Sequence, residues 1–284
     1  MTNKSEVKQS SVVSPRSSKQ IASLHNKEQI EKFLRRNTFL HIYSIGDLDD
    51  FFWENTVWYA LKEKGEIKQI VLMYTALEMP TVLAFTEHPV DEMRDFLRSI
   101  LHLLPRRFYT HLTQELRSIL EEGYDVQCHG TYHKMALIDK TRMQRVDTSN
   151  VFRLSTSDLD DIRELYRISY PGNWFDPRML ETGHYYGLRR DNALVGVAGV
   201  HVYSEKYRVA ALGNVTTHQQ YRGQGIATAC CATLCHELSR TVDHIGLNVK
   251  SENKSAIDSY RKLGFEHVAT YEECTVELKQ TNEP

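Results

Sequence analysis

The spacing of apolar residues divides the chain into two stretches that run through a similar order of elements. In the first, Ile30, Phe33 and Leu34 recur at helical spacing and predict a helix over 25–36. Val57 to Leu61 and Ile67 to Tyr74 read as strands around a turn at Lys64-Gly65, with Thr81 to Phe85 as a third. Pro89 is placed to open a helix whose apolar face is Met93, Phe96, Leu97, Ile100, Leu101 and Leu104, and Pro105 ends it. Phe108 to Leu112 predicts a strand, Thr113 to Glu122 a helix closed by Gly123, and Tyr132 to Ile138 a last strand. Asp139 to Asn150 is polar and aperiodic, so a boundary falls there.

The second stretch opens with a strand at Phe152 to Leu154. A helix over Asp158 to Ile168 follows, capped by Thr156 or Ser157 and apolar at Leu159, Ile162, Leu165 and Tyr166. Tyr170 to Pro177 breaks the pattern with aromatic and acidic residues, which line sites or pack connectors. Tyr185 to Leu188 and Leu194 to Val202 flank a turn at Asp191-Asn192, and Tyr207 to Thr217 runs toward a helix over Ile226 to Ser239. A short strand at His244 to Val249, a helix from Asn253 closed by Gly264, and a weak strand over Thr270 to Leu278 complete the chain. The expected class is α+β with a mixed α/β sheet. Residues 1–19 form a polar, serine-rich tail expected to be mobile, 20–140 a first domain, 141–150 a linker and 151–284 a second domain.

A length of 284 residues fits two domains, and 41 % hydrophobic with 25 % charged residues is ordinary for a globular protein. The net charge of −2 offers no basic field for nucleic acid, so cations that hold a phosphate have to be local. No run of 18 apolar residues predicts a membrane span, and the N-terminus lacks an apolar signal core. The cysteines at 128, 230, 231, 235 and 274 are odd in number and form no Cys-x-x-Cys pair, which predicts reduced thiols in a cytoplasmic protein. Cys231, Cys235 and His236 are the sharper alternative, a metal site. They lack a second ligand pair, and no metal is expected.

The densest local signal is Gln220-Tyr221-Arg222-Gly223-Gln224-Gly225-Ile226-Ala227-Thr228, between a strand and a helix. The first turn of a helix carries amides without intrahelical partners and a partial positive charge, and so binds phosphate. Gly223 and Gly225 allow close approach and positive φ, Thr228 offers a hydroxyl and Arg222 a cation. The bland alternative is a tight turn with no ligand. No Gly-Lys-Ser/Thr follows, so it is not a P-loop, and two glycines do not make a dinucleotide fingerprint.

Downstream lies Asn253-Lys254-Ser255-Ala256-Ile257-Asp258-Ser259-Tyr260-Arg261-Lys262-Leu263-Gly264-Phe265. Together the two motifs resemble the GNAT superfamily of acyl-CoA-dependent N-acyltransferases, over roughly 152–277. The first looks like that family's pyrophosphate loop, Gln/Arg-x-x-Gly-x-Gly/Ala, and the second like its Asn-x-x-Ala-x-x-x-Tyr-x-x-x-Gly-Phe helix. The resemblance implies acetyl-CoA as co-substrate, with its pyrophosphate on the amides of Gly223 to Thr228. It implies a pantetheine arm paired like an added strand with the backbone of Val215 and Thr217. Val215-Thr216-Thr217 matches the family's positions, although Thr217 stands where an apolar residue is more usual. Asn248 and Asn253 are placed at the next strand end and helix start, Ala256 leaves room, and Tyr260 matches the family's general acid. Lys254 and Lys262 are candidates for the outer phosphate.

The proton acceptor is not legible: Glu205, His201, Asp176, Glu181 or a water chain all remain. The first half echoes the element order without the loop, since Thr86-Glu87-His88-Pro89 stands where Gln-x-x-Gly-x-Gly would, and a glutamate repels pyrophosphate. It reads as a degenerate copy without its own cofactor, or as an unrelated α+β domain. The expected function is acetyl transfer to the primary amine of a small molecule or amino-acid-like acceptor. The alternatives are an acyl-CoA-sensing protein without turnover, or acetylation of a protein N-terminus or lysine. No nucleic-acid or membrane partner is expected, and homodimerisation is left open.

Overall fold

The computed structural model describes residues 19–87 and 89–280, so the expected tail lies outside the described residues except at Lys19. Lys19 already belongs to a strand that periodicity did not reveal, β1 (Lys19–Leu24). Next come α1 (Lys27–Leu34), capped by Asn26, and two short helices without a periodic signature, α2 (Ile42–Gly46) and α3 (Asp50–Trp53). The first half continues through β2 (Thr56–Glu63), β3 (Glu66–Tyr74), β4 (Thr81–Ala84), α4 (Asp91–Ile100), β5 (Arg107–Leu112), α5 (Arg117–Leu120) and β6 (Tyr124–Leu137). The second half comprises β7 (Val151–Arg153), α6 (Leu159–Ser169), β8 (Tyr186–Arg190), β9 (Ala193–Ser204), β10 (Val209–Thr217), α7 (Ile226–Leu238), β11 (His244–Lys250), α8 (Lys254–Lys262) and β12 (Phe265–Leu278).

Two expectations are corrected in detail. The cap before α6 is Ser155, not Thr156 or Ser157, because the Asp158 carboxylate reaches back to the Ser155 N–H at 3.0 Å and closes a capping box. Strands β6 and β12 both run to 14 residues, longer than their apolar cores implied, and each is paired on both edges.

All twelve strands form one mixed sheet in the order β1-β2-β3-β4-β5-β12-β6-β11-β10-β9-β8-β7. The last strand of each half lies in the other half's sheet: β12 sits between β5 and β6, and β6 between β12 and β11. The β6–β12 ladder skips a residue at His129 and again at Val268, and the Tyr132–Tyr271 pair lies midway between the two bulges. This is the register of a pseudo-twofold axis through that pair, whose rings stand 5.7 Å apart. Lys134 and Glu273 take equivalent positions about it, one beside Asn248 on β11 and the other beside His111 on β5.

Helices cover both faces. Along β10, Val209 and Ala211 pack with α1 and α2, while Ala210 and Leu212 pack with α7 and α8, the alternation of a strand buried on both sides. Helix α2 therefore belongs to the first half in sequence and to the second in packing. Ile42 seats on Gly246 and Gly46 on Val202, each at a place where a Cβ on the glycine would collide.

The cysteine expectation is corrected as well. Cys128 and Cys274 stand opposite each other on β6 and β12 and form a disulfide, while Cys230, Cys231 and Cys235 are free and buried in α7. Among the described residues, no helix is long and apolar enough to cross a membrane.

The exchange makes the halves interdependent. Residues 151–284 alone leave β11 without β6 and β12 without either neighbour. That fragment should be insoluble or lack cooperative unfolding by circular dichroism, and co-expression with residues 19–150 should restore both. A fragment that folds cooperatively alone would contradict this.

Candidate active site

The site starts where two parallel strands part. Strand β10 pairs with β11 from Val209↔His244 to Leu212↔Leu247 and no further. Between Gly213 and Thr216 the β9–β10 register shifts, and Asn214 turns left-handed at φ 55°. Beyond this bulge Val215, Thr216 and Thr217 run free of β11. The equivalent strands of the first half stay closed: Ala84 pairs with Leu112, Thr113 N–H donates to Ala84 O at 3.0 Å, and Thr86 N–H to Thr113 Oγ1 at 3.1 Å.

Polar atoms around the gap lack partners. Asn214 Oδ1, Thr217 Oγ1, Asn248 Oδ1, His201 Nε2 and Ser169 Oγ are buried without a hydrogen bond among the described residues. Buried polar atoms are normally paired, and a cluster left unpaired marks the place of a polar ligand. Thr217, where an apolar residue was more usual, contributes one of the unpaired atoms.

The glycine loop follows. Gly223 and Gly225 both have φ 77°, which L-residues rarely adopt, and a Cβ on either would meet nothing within 4 Å. Gly225 is the N-cap of α7 and supplies no side-chain cap, so the first amides, Ile226, Ala227 and Thr228, remain available. Arg222 is turned inward: Nε donates to Thr217 O at 3.3 Å and Nη2 to Ser169 O at 3.4 Å, tying the loop to β10 and α6.

A groove of about 400 Å³ runs from Gln224, Gly225, Ile226 and Thr228 to Arg190 and Lys262, and joins another of about 530 Å³ at Arg142 and Arg145. Arg142 is paired with Asp139 at 3.0 Å. Arg142, Arg145 and Arg190 were missed by the motif reading, although two arginines in the linker were a visible signal. Of the two lysines considered, Lys262 lines the groove.

Asn253 caps α8, its Oδ1 accepting the Ala256 N–H at 3.2 Å. Ala256 is half-buried, and Tyr260 lies two turns past the cap at 8 % exposure, its ring 5.8 Å from Phe265. Burial, reinforced by Cys231, Tyr170 and Tyr43, pushes its hydroxyl well above the ordinary tyrosine range. Tyr260 therefore keeps its proton near neutral pH and can act only as a donor.

The opposite wall comes from the first half. The Tyr43 side chain lies near the Asn248 backbone, which acts on its hydroxyl, and Asp47 follows one turn later. On the sheet, His201 lies against Gly213, where any Cβ would strike its ring, and burial lowers its pKa. Asn214 Nδ2 donates to Trp174 O at 3.2 Å and to Tyr185 Oη at 3.0 Å, which fastens the 170–185 loop over the bulge. Of the four candidate proton acceptors, His201 alone is at the bulge. Asp176 caps the Pro177–Thr182 turn and pairs with Arg178, and Glu181 and Glu205 are exposed.

Residues 152–265 match the family model of the acetyltransferase (GNAT) family. No curated protein matches the chain. A Drosophila protein of known structure is similar at 10 % identity and TM-score 0.66, over 90 % of this chain and 98 % of that one. A GCN5-related N-acetyltransferase from Sphaerobacter thermophilus gives 14 % and 0.55, over 90 % and 95 %. A tandem GNAT protein from the clavulanic acid biosynthesis pathway gives 13 % and 0.54, over 93 % and 100 %. The similarity to the GNAT family thus lies in residues 152–265, and the fold of the whole chain is one that a tandem GNAT protein shares.

The basic groove yields a test. Arg145→Ala should weaken coenzyme A by roughly fivefold, the scale of one partly exposed ion pair, and leave dephospho-coenzyme A unchanged in calorimetry. Equal losses for both would remove the linker from the phosphate site.

Proposed function

We propose that this protein transfers the acetyl group of acetyl-CoA to the primary amine of a small acceptor. The observation that carries this reading is the one-sided gap: β10 and β11 part beside an uncapped, glycine-led helix start, and the buried polar atoms along the gap lack partners. Acetyl-CoA supplies the thioester.

The residues divide the work. The amides of Gly223 to Thr228 take the pyrophosphate, and Arg145, Arg190 and Lys262 face the outer phosphate. The backbone of Val215 and Thr217, with Asn248 opposite, orients the arm. His201 is neutral near pH 7, because burial disfavours its charged form, and accepts the proton that the attacking amine sheds. Tyr260 returns a proton to the departing thiolate. The first half binds no nucleotide of its own in this reading, since its strands are closed and α4 begins with Asp91 and Glu92. It completes the acceptor wall through Tyr43 and Asp47.

An amine panel with acetyl-CoA and thiol detection tests the activity. Coenzyme A binding without thiol release from any amine would make the chain an acyl-CoA-binding protein instead. Tyr260→Phe keeps the ring and removes the proton. Its rate at saturation should fall at least about tenfold, the low end of general-acid effects, with acetyl-CoA affinity little changed. Full activity in that variant would reduce Tyr260 to a wall of the tunnel.

The pH profile is a separate test. The raised Tyr260 pKa places loss of the acid above pH 10, and the lowered His201 pKa places loss of the base below 6.5. The rate should therefore hold across neutrality and fall on the acid side only below the ordinary histidine value. An acid limb at or above 6.5 would exclude His201.

A further inference from the structure

One charged group on the acceptor wall has no partner among the described residues. Asp47 follows the last turn of α2, its N–H on the Tyr43 carbonyl at 2.9 Å, and is 9 % exposed. Desolvation alone acts on its carboxyl and raises its pKa to about 7, with no cation near enough to oppose it. Lys134, the buried cation of the neighbouring strand, holds its ammonium over aromatic rings, 4.1 Å from that of Phe85 and 5.2 Å from that of Tyr43, and forms no ion pair with Asp47 among the described residues.

The direction in which Asp47 faces follows from the packing of α2. Ile42 sits on Gly246 and Gly46 on Val202, and Gly246, Ala211 and Val202 form one rung of the sheet. The helix therefore lies across the strands. Tyr43 reaches Asn248, two residues beyond that rung toward the gap. Asp47, four residues after Tyr43, shares its face and looks toward the same end of the sheet, on the side of β9 and His201. Tyr43 and Tyr74 are within electrostatic reach of its carboxylate, and Trp174, 56 % exposed, stands over the bulge. A largely buried carboxylate with no partner among the described residues and with tyrosines nearby is suited to an organic cation.

The reacting nitrogen is not that cation. It has to be uncharged to attack, and a carboxylate beside it would hold it as ammonium. His201, on the sheet, already serves it. We propose that Asp47 is a subsite for a second, non-reacting ammonium of the acceptor, so that the substrate class is a small diamine rather than a monoamine or an amino acid. This rests on the acetyltransferase reading above.

Calorimetry on the full chain, with and without coenzyme A, compares putrescine with butylamine. Putrescine should bind at least about tenfold more tightly, the scale of one charge-assisted contact. Asp47→Asn should abolish the preference by lowering putrescine affinity, and leave coenzyme A affinity unchanged, the latter reporting an intact fold. Asp47→Glu, which keeps the charge, should retain part of it. Equal affinity for the two amines in the unaltered protein, or a preference that survives in the Asn variant, overturns the proposal. Failure of coenzyme A to bind would strike the acetyltransferase reading alone, because the amine preference is read in either state.

Discussion

The structure depends on how β11 is held. Its first four residues pair with β10, but from Gly246 to Lys250 it pairs with β6, a strand of the other half. Asn248, Val249 and Lys250 are kept in place by Lys134, His133 and Tyr132 after β10 has let go. A strand that loses one neighbour frays unless another supplies its hydrogen bonds. The opening between β10 and β11 is therefore propped from outside its own domain. The fourteen-residue ladder between β6 and β12 is in turn what keeps β6 there.

Symmetry in the backbone is not matched by symmetry in the chemistry. The pseudo-twofold axis sets a lysine where its counterpart is a glutamate. Lys134 is 3 % exposed and lies among the rings of Tyr43, Phe85 and Tyr271, where desolvation lowers its pKa to about 7 against the pull of Glu273. Glu273 is supplied with donors, Tyr109 Oη at 2.6 Å and Tyr271 Oη at 2.7 Å, and His111 beside it is held near pKa 4 by burial. Buried ionic groups rarely add stability over apolar ones, but they penalise any register that separates them. On one side of the axis the strands close on Thr86 and Thr113, and on the other they open on Asn214 and Asn248.

The local chemistry of the second half was legible because it is written in short-range signals. Glycines at 223 and 225 announce positive φ, Asn253 announces a helix start, and seven residues fix the phase from that cap to Tyr260. What could not be read is non-local. Periodicity registers which face of a strand is buried, not which strand lies beside it, so the exchange of β6 and β12 left no trace. Tyr124, Val126 and Cys128 do alternate with Asp125, Gln127 and His129, but Gly123 and Gly130 at either end read as breakers. Helix α2 is too short to show a period, so the wall it contributes was invisible. The Cys128–Cys274 bridge spans 146 residues, and no spacing rule connects its ends.

That separation also bears on how the protein is made. A ribosome releases the first half long before the strand that completes it, so β5 and β6 emerge with open edges and stay so until the final residues of β12 have cleared the exit tunnel. During that interval the nascent chain offers two unsatisfied strand edges to any neighbour, including the same segment of another copy. The closing event is a threading of the last strand between two that are already present. A stop codon that removed only β12 would cost both halves their fold, however remote it lies from the glycine loop.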